Sequence, residues 1–188
     1  MYEGGNAKAL QSQRWLAESL VALMQKQRYE KITIQQICDG AGLSRQTFYN
    51  VFDSKEEILH FYLRDSYQAK FQALSGQKTL PVEDIVSSFI AVVSDTRPAL
   101  DAMIANDLSG IIFDEVGSCI ALFTGRFVAE DRMDELFPYN EAMLSGAVAT
   151  LLIFWLKQNH PIDVSQLTEV LKNFLQGRAF RFPAGEES

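Results

Sequence analysis

The chain has 188 residues, 47% of them hydrophobic, enough to bury a core as one domain, or as a small domain joined to a medium one, without disulfides or metal. Its two cysteines, Cys38 and Cys119, show neither CxxC spacing nor a nearby Cys/His cluster, which excludes a disulfide framework and a zinc site. The net charge of −7 argues against a uniformly basic surface, yet residues 1–60 hold seven Lys/Arg against seven Asp/Glu, and residues 61–188 hold ten against seventeen. All the excess acid therefore lies in the second part, and the first remains free to meet a polyanion.

No basic-then-apolar leader opens the chain, and its longest apolar run, Ala147 to Leu156, is too short to span a bilayer. A soluble, cytoplasmic protein with no membrane contact is the expectation. Apolar positions recur at helical spacing almost throughout and no stretch alternates with period two, so the fold is predicted to be all α. The first helix runs from about Lys8 to Gln27, with Trp15, Leu16, Leu20, Leu23 and Met24 on its apolar stripe. Thr33 followed by Gln36 forms a capping box that opens a short helix from Ile34 to Gly40. Gly42 supplies a permissive turn, and Ser44 is an N-cap for a second short helix, Arg45 to Phe52. Ser54 followed by Glu57 predicts another capping box at the head of a long helix reaching about Leu74. Ser75 to Pro81, rich in turn formers, reads as a joint between domains. Beyond it, helices are predicted at about 82–95, 97–106, 108–130, 139–158 and 163–176, punctuated by Pro98, Pro138 and Pro161, and residues 178–188 read as a frayed end.

The stretch from Ile32 to Leu59, ITIQQICDGAGLSRQTFYNVFDSKEEIL, carries the functional signal. Ile34, Ile37 and Ala41 give the first short helix one apolar face, and Leu43, Phe48 and Phe52 do the same for the turn and second helix. Two such helices crossing at a glycine turn make a helix-turn-helix. The outward faces then hold Arg45, Gln46, Thr47, Tyr49 and Asn50. This set suits the major groove of duplex DNA, since Arg forks onto guanine, Gln and Asn pair with adenine, and Thr meets the thymine methyl. The Ser44 end adds backbone N–H groups and a positive helix end for phosphate.

The same stretch closely resembles the TetR family of bacterial regulators. The resemblance rests on Thr33, the Ala41-Gly42-Leu43-Ser44 turn, Thr47-Phe48-Tyr49, Phe52 and the Lys55-Glu56 pair. It implies that Thr33, Tyr49 and Lys55 touch phosphates and that Arg45, Gln46 and Thr47 face bases. Many relatives carry His or Tyr where this chain has Val51, which removes any phosphate contact made from that position. The domains expected are a three-helix DNA-binding unit over residues 1–53, a connecting helix over 54–74, and a C-terminal helical unit over 75–188 for dimerisation and effector binding. The function implied is a homodimeric repressor, without catalytic activity, released from double-stranded operator DNA by an effector.

The C-terminal part resembles the family in architecture only. Ala142, Ser145, Gly146 and Ala149 set small residues beside Leu144, Val148, Leu151, Leu152 and Trp155, which permits close helix approach. With Leu167, Leu171 and Phe174 on the last helix, two such helices from each of two subunits would make a four-helix bundle. Met103, Phe113, Phe123, Phe127, Phe154 and Trp155 either line a cavity for a small apolar or amphipathic effector or simply fill a core. Control by a protein partner fits the sequence as well as a small ligand does, and activation is the alternative to the repression that the resemblance favours. A small helical enzyme is the rival from another class, but no paired carboxylates, nucleophile-base set or glycine-rich phosphate loop supports it. Cys38 and Cys119 read as packed small hydrophobes, His60 and His160 as isolated residues, and Asp114-Glu115, Glu130-Asp131 and Asp134-Glu135 as solvated surface. No cofactor or metal is expected.

Overall fold

A computed structural model describes residues 7–74, 80–128, 133–158 and 162–179, and all regular structure among them is helical. Its helices are α1 (Ala7–Met24), α2 (Ile34–Ala41), α3 (Arg45–Val51), α4 (Lys55–Ala73), α5 (Val82–Asp95), α6 (Arg97–Ala105), α7 (Ser109–Phe127), α8 (Phe137–Lys157) and α9 (Val164–Leu175). A single 3-10 turn, Tyr29–Lys31, precedes α2. Most of the predicted joint at 75–81, His160, Pro161, Glu130-Asp131 and the end from residue 180 lie outside the described residues.

The local signals act as their chemistry requires. The Thr33 side chain accepts from the Gln36 amide and the Gln36 side chain accepts from the Thr33 amide, a complete capping box. Gly42 sits at φ 65°, in the left-handed region that ends α2 at no steric cost. At α4 the expected box is only half made. Ser54 Oγ accepts from the Glu57 amide, but the Glu57 carboxylate reaches past it to the amide of Asp53 at 2.8 Å. A further capping box, Asp163 with Gln166, starts α9. α6 ends on Asp107 at φ 59°, one of the few non-glycine types that tolerate this region, and the Leu108 amide then closes back onto the Met103 carbonyl.

Helices α1 to α4 form one compact corner around Leu16, Leu20, Ile37, Cys38, Phe48, Phe52, Ile58 and Leu59, all 2% exposed or less. Trp15 departs from the predicted stripe of α1 and is 46% exposed, because α1 turns Ser12 and Gln13 inward instead. α2 approaches α1 closely at Gly40, where a Cβ would stand 2.3 Å from Ser19 Oγ. That hydroxyl donates to the Ile37 carbonyl at 2.8 Å. The core continues without a break into the second half, where α4 packs on α5 and α7, α7 on α8, and α9 chiefly on α5.

By length and composition α8 is apolar enough to cross a membrane. In the fold it packs on α6 and α7, burying Val148, Ala149, Leu152, Trp155 and Leu156. Its opposite face is also apolar: Tyr139, Met143 and Phe154 are 75%, 68% and 59% exposed. At spacings of four and eleven residues they share one helical stripe.

Candidate nucleic-acid interface and apolar cavity

α3 is anchored by Phe48, which is fully buried, and by Val51, 5% exposed. With those residues inward, periodicity puts Arg45, Gln46, Tyr49 and Asn50 outward, and all four are exposed. Ser44 Oγ caps the helix by accepting from the Thr47 amide at 3.0 Å, and its oxygen lies 2.9 Å from Thr47 Oγ1. Arg45 leans along the helix toward Tyr49, with Nη2 3.5 Å from the phenol oxygen and the guanidinium carbon 6.0 Å from the ring centroid. Contact with the phenol holds the Arg45 pKa above its ordinary value, so the side chain is a fixed cation beside an aromatic face. Thr33 is exposed at the start of α2, on the neighbouring short helix. Seven of the eight residues expected at DNA are therefore displayed on α2 and α3 or their caps. Val51 points into the core, where no phosphate contact can be made.

Lys55 is placed differently. Its Nζ donates to the carbonyls of Tyr29 at 3.0 Å and Ile32 at 2.7 Å and lies 4.4 Å from the Tyr29 ring centroid. Burial pushes its pKa down, while Glu30 partly opposes the shift. The geometry makes this ammonium a clasp between the head of α4 and the turn before α2. The tie extends further, because the Tyr29 amide donates to Asn106 Oδ1 at 2.7 Å and Asn106 Nδ2 donates to the Ala102 carbonyl at 2.8 Å. The corner between α6 and α7 is thus hydrogen bonded to the helix-turn-helix. Sequence reasoning missed Asn106, which has no local pattern to mark it.

In the second half, a cavity of about 270 Å³ lies among α4, α5, α7, α8 and α9. Phe71, Phe89, Phe123, Val148 and Leu171 are among the side chains that make its wall almost wholly carbon. Of the residues expected at an effector, Phe123 lines it, and Phe127 packs between Phe123 and Phe71 at centroid distances of 4.8 and 5.8 Å. The other four do not. Met103 is fully buried in the α6 core, and Phe113 and Phe154 are exposed on the outside. Trp155 is buried with Nε1 donating to the Ile162 carbonyl at 2.8 Å and Arg97 stacked on its ring. Besides α7 and α8, the cavity is bounded by α4, α5 and α9, and no α6 residue is among those that line it. The aromatic count of a helix does not reveal which face meets a void.

The expected dimer residues also divide. Ala149, Leu167 and Leu171 are buried within the subunit, and Leu171 faces the cavity. Ala142 is exposed, a Cβ on Gly146 would meet open space, and Leu151 and Phe174 are partly exposed.

His60 and Glu115, read as isolated and as solvated, meet. Glu115 is 3% exposed, with Oε1 2.8 Å from His60 Nδ1 and accepting from Arg64 Nη2 at 2.7 Å, while Oε2 accepts from the Tyr67 hydroxyl at 3.1 Å. The three α4 residues stand at i, i+4 and i+7, a single helical face. Their spacing was visible in the sequence, but the partner 48 to 55 residues away was not.

An outward polar recognition helix held on an aromatic core, within an all-helical chain, defines a helix-turn-helix DNA-binding protein. Residues 18–60 match the family model described as bacterial regulatory proteins, tetR family. Over these residues the chain carries a DNA-binding domain of the tetR type found in bacterial transcription regulators. A curated relative, the HTH-type dhaKLM operon transcriptional activator DhaS of Lactococcus lactis, is 33% identical over 60 residues. The match covers 32% of each protein, so the chain aligns with about a third of that relative's length. Among solved structures, the dihydroxyacetone kinase operon activator DhaS superposes with a TM-score of 0.64 at 15% identity, over 89% of this chain and 96% of that one. A Listeria innocua protein gives 0.69 at 15% identity over 94% and 96%. A TetR transcriptional regulator from Streptococcus agalactiae gives 0.57 at 17% over 89% and 95%. At these identities the structural likeness establishes the fold.

Proposed function

We infer that the chain is a cytoplasmic, homodimeric regulator that reads a two-fold operator with α3 and is switched by a small molecule held in the cavity among α4, α5, α7, α8 and α9. The observation that carries this is the outward display of Arg45, Gln46, Tyr49 and Asn50 on a helix anchored by buried Phe48. The uncovered apolar stripe of Tyr139, Met143 and Phe154 supports dimerisation through α8, together with Leu151 and the open side of Gly146. Release from DNA on ligand binding gives a repressor. The relative's printed name, an operon activator, favours a second reading in which the bound dimer activates transcription.

Selection of bound sequences from a random duplex pool tests the DNA-binding reading. A site with two half-sites centred roughly 34–36 Å apart is expected. Recovery of no enriched sequence would refute it.

A further inference from the structure

Glu115 is a carboxylate in the middle of α7, buried where an unpaired charge is strongly disfavoured. Arg64 balances its charge, and His60 and Tyr67 complete its hydrogen bonding. All three partners belong to α4, which is separated from α3 by three residues. Glu115 therefore ties α7 to one face of α4, the helix that follows the recognition helix in the chain. Tyr67 has a second neighbour. Its side chain also lines the cavity, as does Cys119, one turn beyond Glu115 on α7.

The lining constrains what enters. Lys70 is the cation among the lining residues described, and it is already paired with Asp95 at 2.9 Å. An anion would find no uncommitted counter-charge and would approach Glu115. A cation would compete with Arg64 for a carboxylate that is already neutralised. An apolar cavity of roughly 150 Å³ suffices to hold a benzene-sized molecule, so this larger one has room for a bigger apolar body. Tyr67 and Thr124, two of the hydroxyl-bearing residues of the lining, are already bonded to Glu115 and Glu141, so a ligand finds few polar partners there.

We propose that Tyr67 and Glu115 couple the cavity to the helix-turn-helix: an uncharged, largely apolar ligand displaces the Tyr67 side chain, takes its hydroxyl from Glu115 and lets α4 re-seat on α7. This rests on the reading of the cavity as an effector site and adds the ligand class and the route of transmission. Glu115 is a positioning residue in this scheme, since it acts on DNA only through α4. A ligand changes DNA affinity only by as much as it prefers one seating of α4 over the other, and DNA must change ligand affinity by the same factor.

The test uses N-phenyl-1-naphthylamine, uncharged at neutral pH and fluorescent in apolar sites, with a duplex selected from a random pool by the wild-type protein. In the wild type, saturating probe weakens DNA binding on the order of tenfold, and DNA weakens probe binding equally. Glu115→Gln, whose site is outside the cavity wall, still binds the probe, but the probe changes its DNA affinity less than about twofold. Tyr67→Phe loses the coupling in the same way. Hydrogen exchange on the wild type supplies a measurement independent of variant folding: the probe speeds exchange of the amides over residues 60–67. If both variants keep the wild-type factor, the Tyr67–Glu115 route is overturned while the effector reading stands. Probe binding with no change in wild-type DNA affinity or in exchange also overturns the proposal. If the probe does not bind the wild type, the effector reading fails and takes the proposal with it.

Discussion

The amide of Tyr29 donates to the side-chain oxygen of Asn106, 77 residues further along the chain, at 2.7 Å. This single bond joins the turn before α2 to the corner between α6 and α7, alongside the packing of α1 on α6 and of α4 on α5 and α7. Asn106 is 7% exposed, and its amide group also donates to the Ala102 carbonyl. Asn106→Ala leaves a part-buried N–H without its partner and is expected to cost about 1–3 kcal/mol of stability, read by urea denaturation. A loss under about 0.3 kcal/mol would show that water replaces the bond without penalty.

Lys55 spends two of its donors on carbonyls, so its removal should act on structure as well as on phosphate attraction. Lys55→Met keeps much of the stem and removes the ammonium. The expected result is a stability loss of about 1–3 kcal/mol together with weaker binding to all DNA sequences. Unchanged stability with a salt slope lowered by about one would instead make it a plain phosphate contact.

Gly146 separates folding from assembly. Its Cβ direction meets nothing within 4 Å inside the subunit, so Gly146→Arg should fold normally while obstructing the apolar face of α8. Light scattering at micromolar concentration is expected to give a dimer for the wild type and a monomer for the variant, with melting temperatures within a few degrees, the equivalent of about 1 kcal/mol. A monomeric wild type would remove α8 as the dimer face.

Cys119 offers a readout of the cavity wall. Burial, and secondarily the charge of Glu115, push its thiol up to about 12, so at pH 8 only about one molecule in ten thousand carries the thiolate. Burial likewise raises Cys38. Iodoacetamide should therefore modify the folded protein at least about a hundredfold more slowly than the unfolded chain at that pH, and faster as pH rises. Equal rates would show that the packing around α7 opens readily.

What the sequence made legible follows from the range of the forces involved. Caps at Thr33 and Ser44, the turn at Gly42 and the inward Phe48 and Phe52 depend on neighbours within four residues, so the two short helices and the outward face of α3 could be read before the fold. The cavity could not. Phe113 and Phe123 sit ten residues apart on α7, yet one faces outward and the other a void, because the choice depends on where α4, α5 and α9 dock. The burial of Glu115 was hidden for the same reason: next to Asp114 it reads as surface until α4 brings Arg64 against it. Gly40 likewise looked like an ordinary helix end, and only the docked α1 shows that Ser19 leaves no room for a Cβ.

If α3 reads bases, Arg45 at its first turn is placed to fork onto guanine. On the selected operator, Arg45→Ala is expected to lose about 1–3 kcal/mol of binding free energy, while binding to unrelated duplex at the same salt changes far less, so that sequence preference relaxes. Titration of wild type and variant against both duplexes at two or more salt concentrations measures this directly. Equal losses on operator and unrelated DNA would make Arg45 a phosphate contact, and no loss on either would contradict the placement of α3 in the groove.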